Sequence, residues 1–220
     1  MSVLVSDLIL EVRQRADMVN SQFCTDDEIL GYLNQAHQDA YLAVVKASEA
    51  YFVTSAPLTV TGETAALPAD CFKIVGIDHQ YNSRTVSMRQ FNFAERNQVK
   101  SLPGSWRVQG YSRYRYCIVG NNLLFQPAPE APFTTTLWYV PYTANLVAGG
   151  NLDFPVAQWD CYLINSATAD CVSKEERDAS YWEKEAEGSM KQIIMTASAR
   201  NESEPMTVVD VYRMNTLDDW

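Results

Sequence analysis

Two histidines, His37 and His79, are the only side chains in the sequence whose ordinary pKa lies near neutral pH. His37 is followed two residues later by Asp39, a pairing that would suit general acid–base chemistry. The sequence contains no Gly-x-Ser-x-Gly nucleophile motif, no phosphate-binding Walker loop and no His-Glu-x-x-His motif. We therefore expect His37 on a solvated or interface face of a helix, and His79, within DHQYNSR, in the turn of a hairpin. The sequence predicts no catalytic residue and no enzyme.

The cysteines are scattered singly along the chain, without a Cys-x-x-Cys pair. An odd number at irregular spacing favours reduced thiols in or near the core over a disulfide framework or a zinc site. The acidic run Asp26-Asp27-Glu28 is explained by a helix N-terminus, where negative charge is favourable. We therefore predict no metal site and no cofactor. The five cysteines are Cys24, Cys71, Cys117, Cys161 and Cys171.

Composition places the chain among globular proteins. With 220 residues, 47% of them hydrophobic, it can bury a core as one domain or as one domain carrying an insertion. Its formal charge of −10 argues against a general nucleic-acid binder, which would neutralise phosphates with Lys and Arg. The segment MSVLVSDLILEVRQR does not resemble a secretory signal, and no apolar run is long enough to span a membrane. We expect synthesis in the cytoplasm and no membrane partner.

Charge is distributed unevenly. Residues 84–116 carry seven Lys or Arg against Glu95 alone, whereas residues 153–220 carry fourteen carboxylates against six Lys or Arg. We call the first segment the basic belt and predict that it forms an interface through Arg107, Arg113 and Arg115. Aromatic residues alternate with the arginines, so a nucleic-acid-binding module that stacks bases is an alternative. These aromatic residues are Trp106, Tyr111, Tyr114 and Tyr116.

Both ends of the chain show helical periodicity. Apolar residues from Val5 to Val19 follow one helix face. Thr25 and Glu28 form a capping box, which predicts a second helix starting at Thr25 and lying antiparallel to the first. Its polar face carries Asn34, His37, Gln38 and Asp39. Two further helices are predicted: one that has Pro155 as its first residue and shows helical periodicity from Val156 to about Arg177, and one over 178–198.

The middle of the chain is rich in β-formers. Short runs of Val, Ile, Thr, Tyr and Phe between residues 51 and 142 are separated by Gly, Pro and Asn, and Asn121-Asn122 predicts a hairpin. The expected fold class is α+β: an antiparallel helical bundle core with an inserted small antiparallel β-sandwich or barrel-like region and an extended C-terminal tail. The predicted segments are 1–50, 51–146, 147–198 and 199–220.

A family resemblance extends over nearly the whole chain. The segments VRQRADMVNSQFCTDDEILGYLNQAHQDAYLAVV, LPADCFKIVGID, FNFAERNQ, YCIVGNNLLFQP, LWYVP and NESEPMTVVDVY occur in an order that resembles the head-to-tail adaptor, or head-completion, proteins of tailed bacteriophages. The resemblance implies a structural protein of the virion. It implies a homo-oligomeric ring of about twelve subunits beneath the portal vertex. Genomic DNA would pass through the ring without sequence-specific binding. In such a ring the polar face of the second helix, Asn34, His37, Gln38 and Asp39, would meet neighbouring subunits or line the channel.

The same resemblance implies particular partners. These are the phage portal protein on one side and a tail, stopper or nozzle protein on the other. A tail-tube or nozzle ring protein of a short-tailed phage is the nearest alternative. The C-terminal tail is expected to dock on the portal as an added strand. Its docking residues are Val209, Asp210, Val211, Tyr212, Met214 and Trp220.

Overall fold

The chain forms two compact units in a computed structural model that describes residues 2–81, 84–100, 111–129, 131–153 and 155–200. The first, which we call the helical unit, comprises Met1–Ser48 and Leu146–Trp220, and the second, the β unit, comprises Glu49–Asn145. Within the described ranges the fold is mixed, with five helices and a nearly closed, barrel-like sheet of seven strands. Residues 201–220, nearly all of the predicted C-terminal tail, lie outside the described residues.

The helical unit contains the helices from both ends of the sequence. A short strand β1 (Ser2–Leu4) pairs antiparallel with β9 (Asn151–Asp153). The helices are α1 (Val5–Arg15), α2 (Asp26–Ala47), α4 (Trp159–Lys174) and α5 (Ser180–Ala199).

The predicted capping box at the start of α2 is confirmed. The Oγ1 atom of Thr25 accepts a hydrogen bond from the Glu28 N–H at 3.3 Å, and Glu28 Oε2 accepts one from the Thr25 N–H at 2.9 Å. Two backbone donors that lack partners inside the helix are thereby satisfied. The first helix also buries its predicted apolar face, although Val19 lies beyond its end and is exposed.

The most buried helix is α4, which contacts α1, α2 and α5. Ten of its residues are buried, including Trp159, Leu163, Ala167 and Cys171. The predicted start at Pro155 is wrong. Because β9 ends at Asp153, the chain must turn first, and Gln158 takes a positive φ of 69° immediately before the helix begins at Trp159.

The β unit is a mixed sheet with strand order β2-β8-β4-β5-β6-β7-β3. The prediction of an antiparallel sheet is wrong at one position, since β5 and β6 pair in parallel. The connection between them includes the short helix α3 (Arg96–Lys100), and parallel neighbours require such a crossover. The strands are β2 (Thr54–Val60), β3 (Thr64–Ala66), β4 (Cys71–Tyr81), β5 (Arg84–Gln90), β6 (Tyr111–Val119), β7 (Asn122–Gln126) and β8 (Phe133–Pro141).

Side chains at alternate positions along the strands point to the same face of this sheet and form the core of the β unit. Its core includes Phe125, Leu123, Leu137 and Ile77. The predicted β6–β7 hairpin is present, and Val119 pairs with Asn122 across a turn in which Gly120 takes a φ of 59°. A residue with a side chain is disfavoured at such a positive φ.

His79 does not lie in a turn. It belongs to β4 (Cys71–Tyr81), where its Cα pairs with that of Val86 in the neighbouring strand β5. The imidazole is buried, with its ring centroid 4.7 Å from that of Phe133 and 5.6 Å from that of Tyr114. His79 is therefore a component of the β-unit core.

Candidate functional site

The predicted polar face of α2 divides into a buried half and an exposed half. His37 is 7% exposed, and its Nδ1 accepts a hydrogen bond from the indole Nε1–H of Trp159 at 3.2 Å. Asn34 is half-buried and bonds to the backbone of Leu146. Only Gln38 and Asp39 are exposed. His37 therefore does not lie on the solvated or interface face where it was expected, and the interface role of the exposed pair stays a prediction.

The surroundings of His37 make it unsuitable as an acid–base group. The bond from Trp159 requires an unprotonated Nδ1, as in neutral imidazole. Burial lowers the pKa of His37 below its ordinary value, because a low-dielectric interior disfavours the charged form. Asp39, the partner suggested by sequence spacing, is exposed to solvent. This histidine thus acts as a packing and hydrogen-bonding residue between α2 and α4.

A groove of about 480 Å³ lies between α4 and α5. Four of its lining residues present apolar surface: Tyr162, Ala169, Ala186 and Met190. Three lining residues are acidic: Asp170, Glu183 and Glu187. We call this feature the acidic groove. One cation, Lys191, also lines it and lies 3.8 Å from Glu187, but both side chains of that ion pair are largely exposed.

Negative charge accumulates at Asp170. Its pKa is raised, first by burial and then by the nearby charges of Asp39 and Glu183. Each nearby negative charge makes the ionisation of Asp170 less favourable. A cation placed among these carboxylates would offset that repulsion. Asp39, a predicted interface residue, therefore lies near Asp170 of the groove, a carboxylate that sequence reasoning missed. The spacing of Glu183 and Glu187, four residues apart on a predicted helix, was the available signal.

The basic belt is only partly within the described residues. Arg107 lies outside them, as does the side chain of Arg113, whose backbone belongs to β6. Arg115 is half-buried, and its Cα stands opposite that of Arg89 in the parallel β5–β6 pair. Two cationic side chains at opposed positions of neighbouring strands repel each other. The described part of the belt thus concentrates positive charge on β5 and β6.

The aromatic residues of the belt are not arranged for base stacking where the structure describes them. Tyr114 and Tyr116 are buried in the β-unit core, and the Tyr114 ring is stacked 4.7 Å from that of Phe133. Successive residues of a strand point to opposite faces, so these tyrosines lie on the face opposite to Arg115. Trp106 and the side chain of Tyr111 lie outside the described residues.

The outer surface of β4 and β8 exposes aromatic side chains that sequence reasoning did not select. Trp138 is 40% exposed and donates from Nε1 to Asp78 Oδ2 at 2.8 Å. The hydroxyl of Ser87 donates to the other oxygen of Asp78 at 2.8 Å. Phe72 and Tyr142, both exposed, lie with ring centroids 5.2 Å apart. Exposed aromatic side chains held in fixed orientations are typical of protein contact surfaces.

Nothing in the described residues assembles into a metal centre, since no group of three or more His, Cys, Asp or Glu side chains there could hold an ion. Among the described helices, none combines the length and apolar character required to cross a membrane. The predicted docking residues of the tail, 209–212, 214 and 220, lie outside the described residues.

A comparison with known protein families shows the family of this chain. A family model described as SU10 adaptor protein matches residues 4–209, which cover the β unit and most of the helical unit. The chain belongs to this family. It is thus a phage structural adaptor protein, a virion component that contacts other virion components. A comparison of this adaptor with curated proteins finds no match.

Proposed function

We propose that this adaptor forms a closed ring of about twelve subunits that joins the portal vertex to the tail. Its helices would form an antiparallel bundle core, and its lumen would line the channel through which genomic DNA leaves the head. The adaptor would be structural rather than catalytic. The burial of both histidines, described above, supports the absence of acid–base catalysis.

The separation of charge between the two units is the observation that carries this proposal. Glu49–Asn145 holds eight Lys or Arg and six carboxylates, whereas the remaining residues hold nine Lys or Arg and 21 carboxylates. Complementary charge on one chain favours a head-to-tail contact between copies, the type of contact that closes into a ring. The excess of acid also suits a DNA channel, because weak repulsion would prevent the phosphate backbone from adhering.

We assign the subunit contact to the basic belt of one copy and the acidic groove of the next. Arg115 and Arg89 would enter the groove beside Asp170 and Glu183, where each charge would find an opposite one. Such a contact would relieve the repulsion between the arginines and the repulsion between the carboxylates together.

The first test is native mass spectrometry with negative-stain imaging of the adaptor alone and after mixing with the portal protein. We expect a closed ring on the portal, and we expect truncation after Arg200 to abolish it, because the tail docks there. An adaptor that stays monomeric with the portal would overturn the ring.

The surface assignment is tested separately by charge reversal. Arg115→Glu and Asp170→Lys should each prevent ring closure, whereas Lys73→Glu, the same charge change on β4, should leave it intact. An equal mixture of the Arg115→Glu and Asp170→Lys variants should assemble again. When the two variants alternate around the ring, every contact joins one positive and one negative side chain. If both charge-reversal variants still form rings, the subunit contact lies elsewhere on the surface. The adaptor role would be unaffected by that result.

A further inference from the structure

Two cysteine side chains meet in the core of the helical unit. Cys24 lies in the link between α1 and α2, and Cys171 lies in the last turns of α4. Their Sγ atoms are 3.6 Å apart, although the residues are 147 positions apart in sequence. Both are fully buried and both are free thiols in this structure. Sequence spacing gives no sign of this pairing, since neither residue belongs to a Cys-x-x-Cys motif.

The distance between the two sulfur atoms is close to that of a covalent link. A disulfide has a bond length of about 2.05 Å, so a relative displacement of roughly 1.5 Å would bring the sulfurs to bonding distance. Cys24 would make most of this movement, because the backbone of Cys171 is held within a helix. Side chains hold the link that carries Cys24: Arg13 donates to the carbonyls of Met18, Ser21 and Cys24, and Lys174 of α4 donates to the carbonyl of Phe23.

Burial protects Cys171 from reaction under mild conditions. The pKa of Cys171 is raised to about 12, first by burial and then by the neighbouring Cys24. The thiolate is the reactive form, so Cys171 reacts slowly at neutral pH while the link stays closed. Local opening of the link would give a small oxidant access to the sulfurs.

We propose that Cys24 and Cys171 form a site of oxidative modification, at which a peroxide converts the thiol pair into an intramolecular disulfide. In the first step one thiol gives its sulfur electron pair to the peroxide, forming a sulfenic acid and releasing water from hydrogen peroxide. In the second step the other sulfur displaces hydroxide from the sulfenic acid, which forms the S–S bond and releases a second water. The two sulfurs lose two electrons in total, and the peroxide gains them.

The disulfide ties the α1–α2 link to α4 and closes a loop that contains the whole β unit. Closing a long loop removes conformations of the unfolded chain and so stabilises the folded one. A protein synthesised with reduced thiols would thus become more resistant to unfolding after exposure to an oxidising exterior. This inference is independent of the ring proposal, because both cysteines lie within one chain.

The experiment treats the full-length protein with hydrogen peroxide, denatures it with an alkylating reagent present, and maps the peptides by mass spectrometry. We expect a cross-linked peptide pair containing Cys24 and Cys171, lighter by two hydrogens and reversed by dithiothreitol. The thermal midpoint should rise by about 5 °C on oxidation and fall again on reduction.

Variants make the assignment specific. Cys24→Ser and Cys171→Ser should each lose the rise in thermal midpoint, whereas Cys161→Ser, at a half-buried thiol on the same helix, should keep it. Peptide mapping of the unaltered protein decides the matter even if a core variant fails to fold. Recovery of Cys24 and Cys171 as alkylated thiols or higher sulfur oxides, without the cross-linked pair, would overturn the proposal.

Discussion

The side-chain amide of Asn34 on α2 satisfies both polar groups of the Leu146 backbone. Its Oδ1 accepts the Leu146 N–H at 2.6 Å, and its Nδ2 donates to the Leu146 carbonyl at 3.2 Å. Leu146 is the residue at which the chain re-enters the helical unit. A side chain predicted to face a neighbouring subunit therefore fixes the path of its own chain.

Replacing Asn34 should destabilise the fold. Asn34→Ala leaves two backbone groups of Leu146 without their partners, which costs about 1–3 kcal/mol for each group that water cannot reach. We expect a loss of about 2 kcal/mol in the free energy of unfolding, measured by denaturant titration. Gln35→Ala, at the exposed neighbouring position, is the control and should change it by less than about 0.5 kcal/mol. Equal effects of the two substitutions would contradict this role.

The capping box at the start of α2 should contribute a measurable share of stability. Thr25→Ala removes the side-chain acceptor for the Glu28 N–H, a change that typically costs about 1 kcal/mol. Thr25→Ser retains that acceptor and should stay close to the unaltered protein. Thermal unfolding of the two variants gives the comparison. If serine is as damaging as alanine, the methyl group of Thr25 rather than its oxygen is responsible.

Burial of His37 should make the helical unit sensitive to acid. The pKa of His37 is lower in the folded state than the ordinary value of 6.5, so between these two values the unfolded chain binds more protons. The free energy of unfolding should therefore fall as pH decreases through about 6.5 toward the folded pKa. His37→Gln, whose amide oxygen can accept the Trp159 N–H, should flatten this part of the profile. The check is denaturant titration from pH 7.5 to 5, and an unchanged slope in the variant would exclude His37 as the cause.

Neutralising Asp170 should have opposite effects on the monomer and on the assembly. The raised pKa of this carboxyl means that its ionisation costs stability once the pH exceeds the ordinary value of 3.8, and the cost is complete above the folded pKa. Asp170→Asn should thus stabilise the isolated chain near pH 7 and weaken ring closure on the portal. Thermal unfolding and native mass spectrometry measure the two effects. Glu185→Gln, at an exposed position of α5 that does not line the groove, is the matched control.

The helices were largely predictable because their signals are local. The capping box, the apolar face of α1 and the extent of α5 each depend on residues a few positions apart. The burial of His37 could also have been predicted. It lies four residues after Leu33 and four before Tyr41, both buried, but it was assigned to the polar face by residue type rather than by spacing.

Pairing between distant residues had no such signal. The parallel register of β5 and β6 depends on how the chain between them crosses over, which alternation along one strand does not report. Likewise, Asp39 and Asp170 come close only because α2 packs on α4. The acidic groove is thus a product of tertiary packing, and only its Glu183–Glu187 spacing was visible beforehand.

Because the helical unit is built from both ends of the sequence, its assembly follows an order imposed by synthesis. α1 and α2 leave the ribosome well before Trp159, the largest buried side chain of α4, has been made. At about 5–20 residues per second, the intervening β unit takes several seconds to appear. During that time the apolar faces of α1 and α2 have no α4 to cover them. The nascent N-terminal helices should therefore be a preferred substrate for chaperones that bind exposed apolar helices, until translation of α4 completes their core.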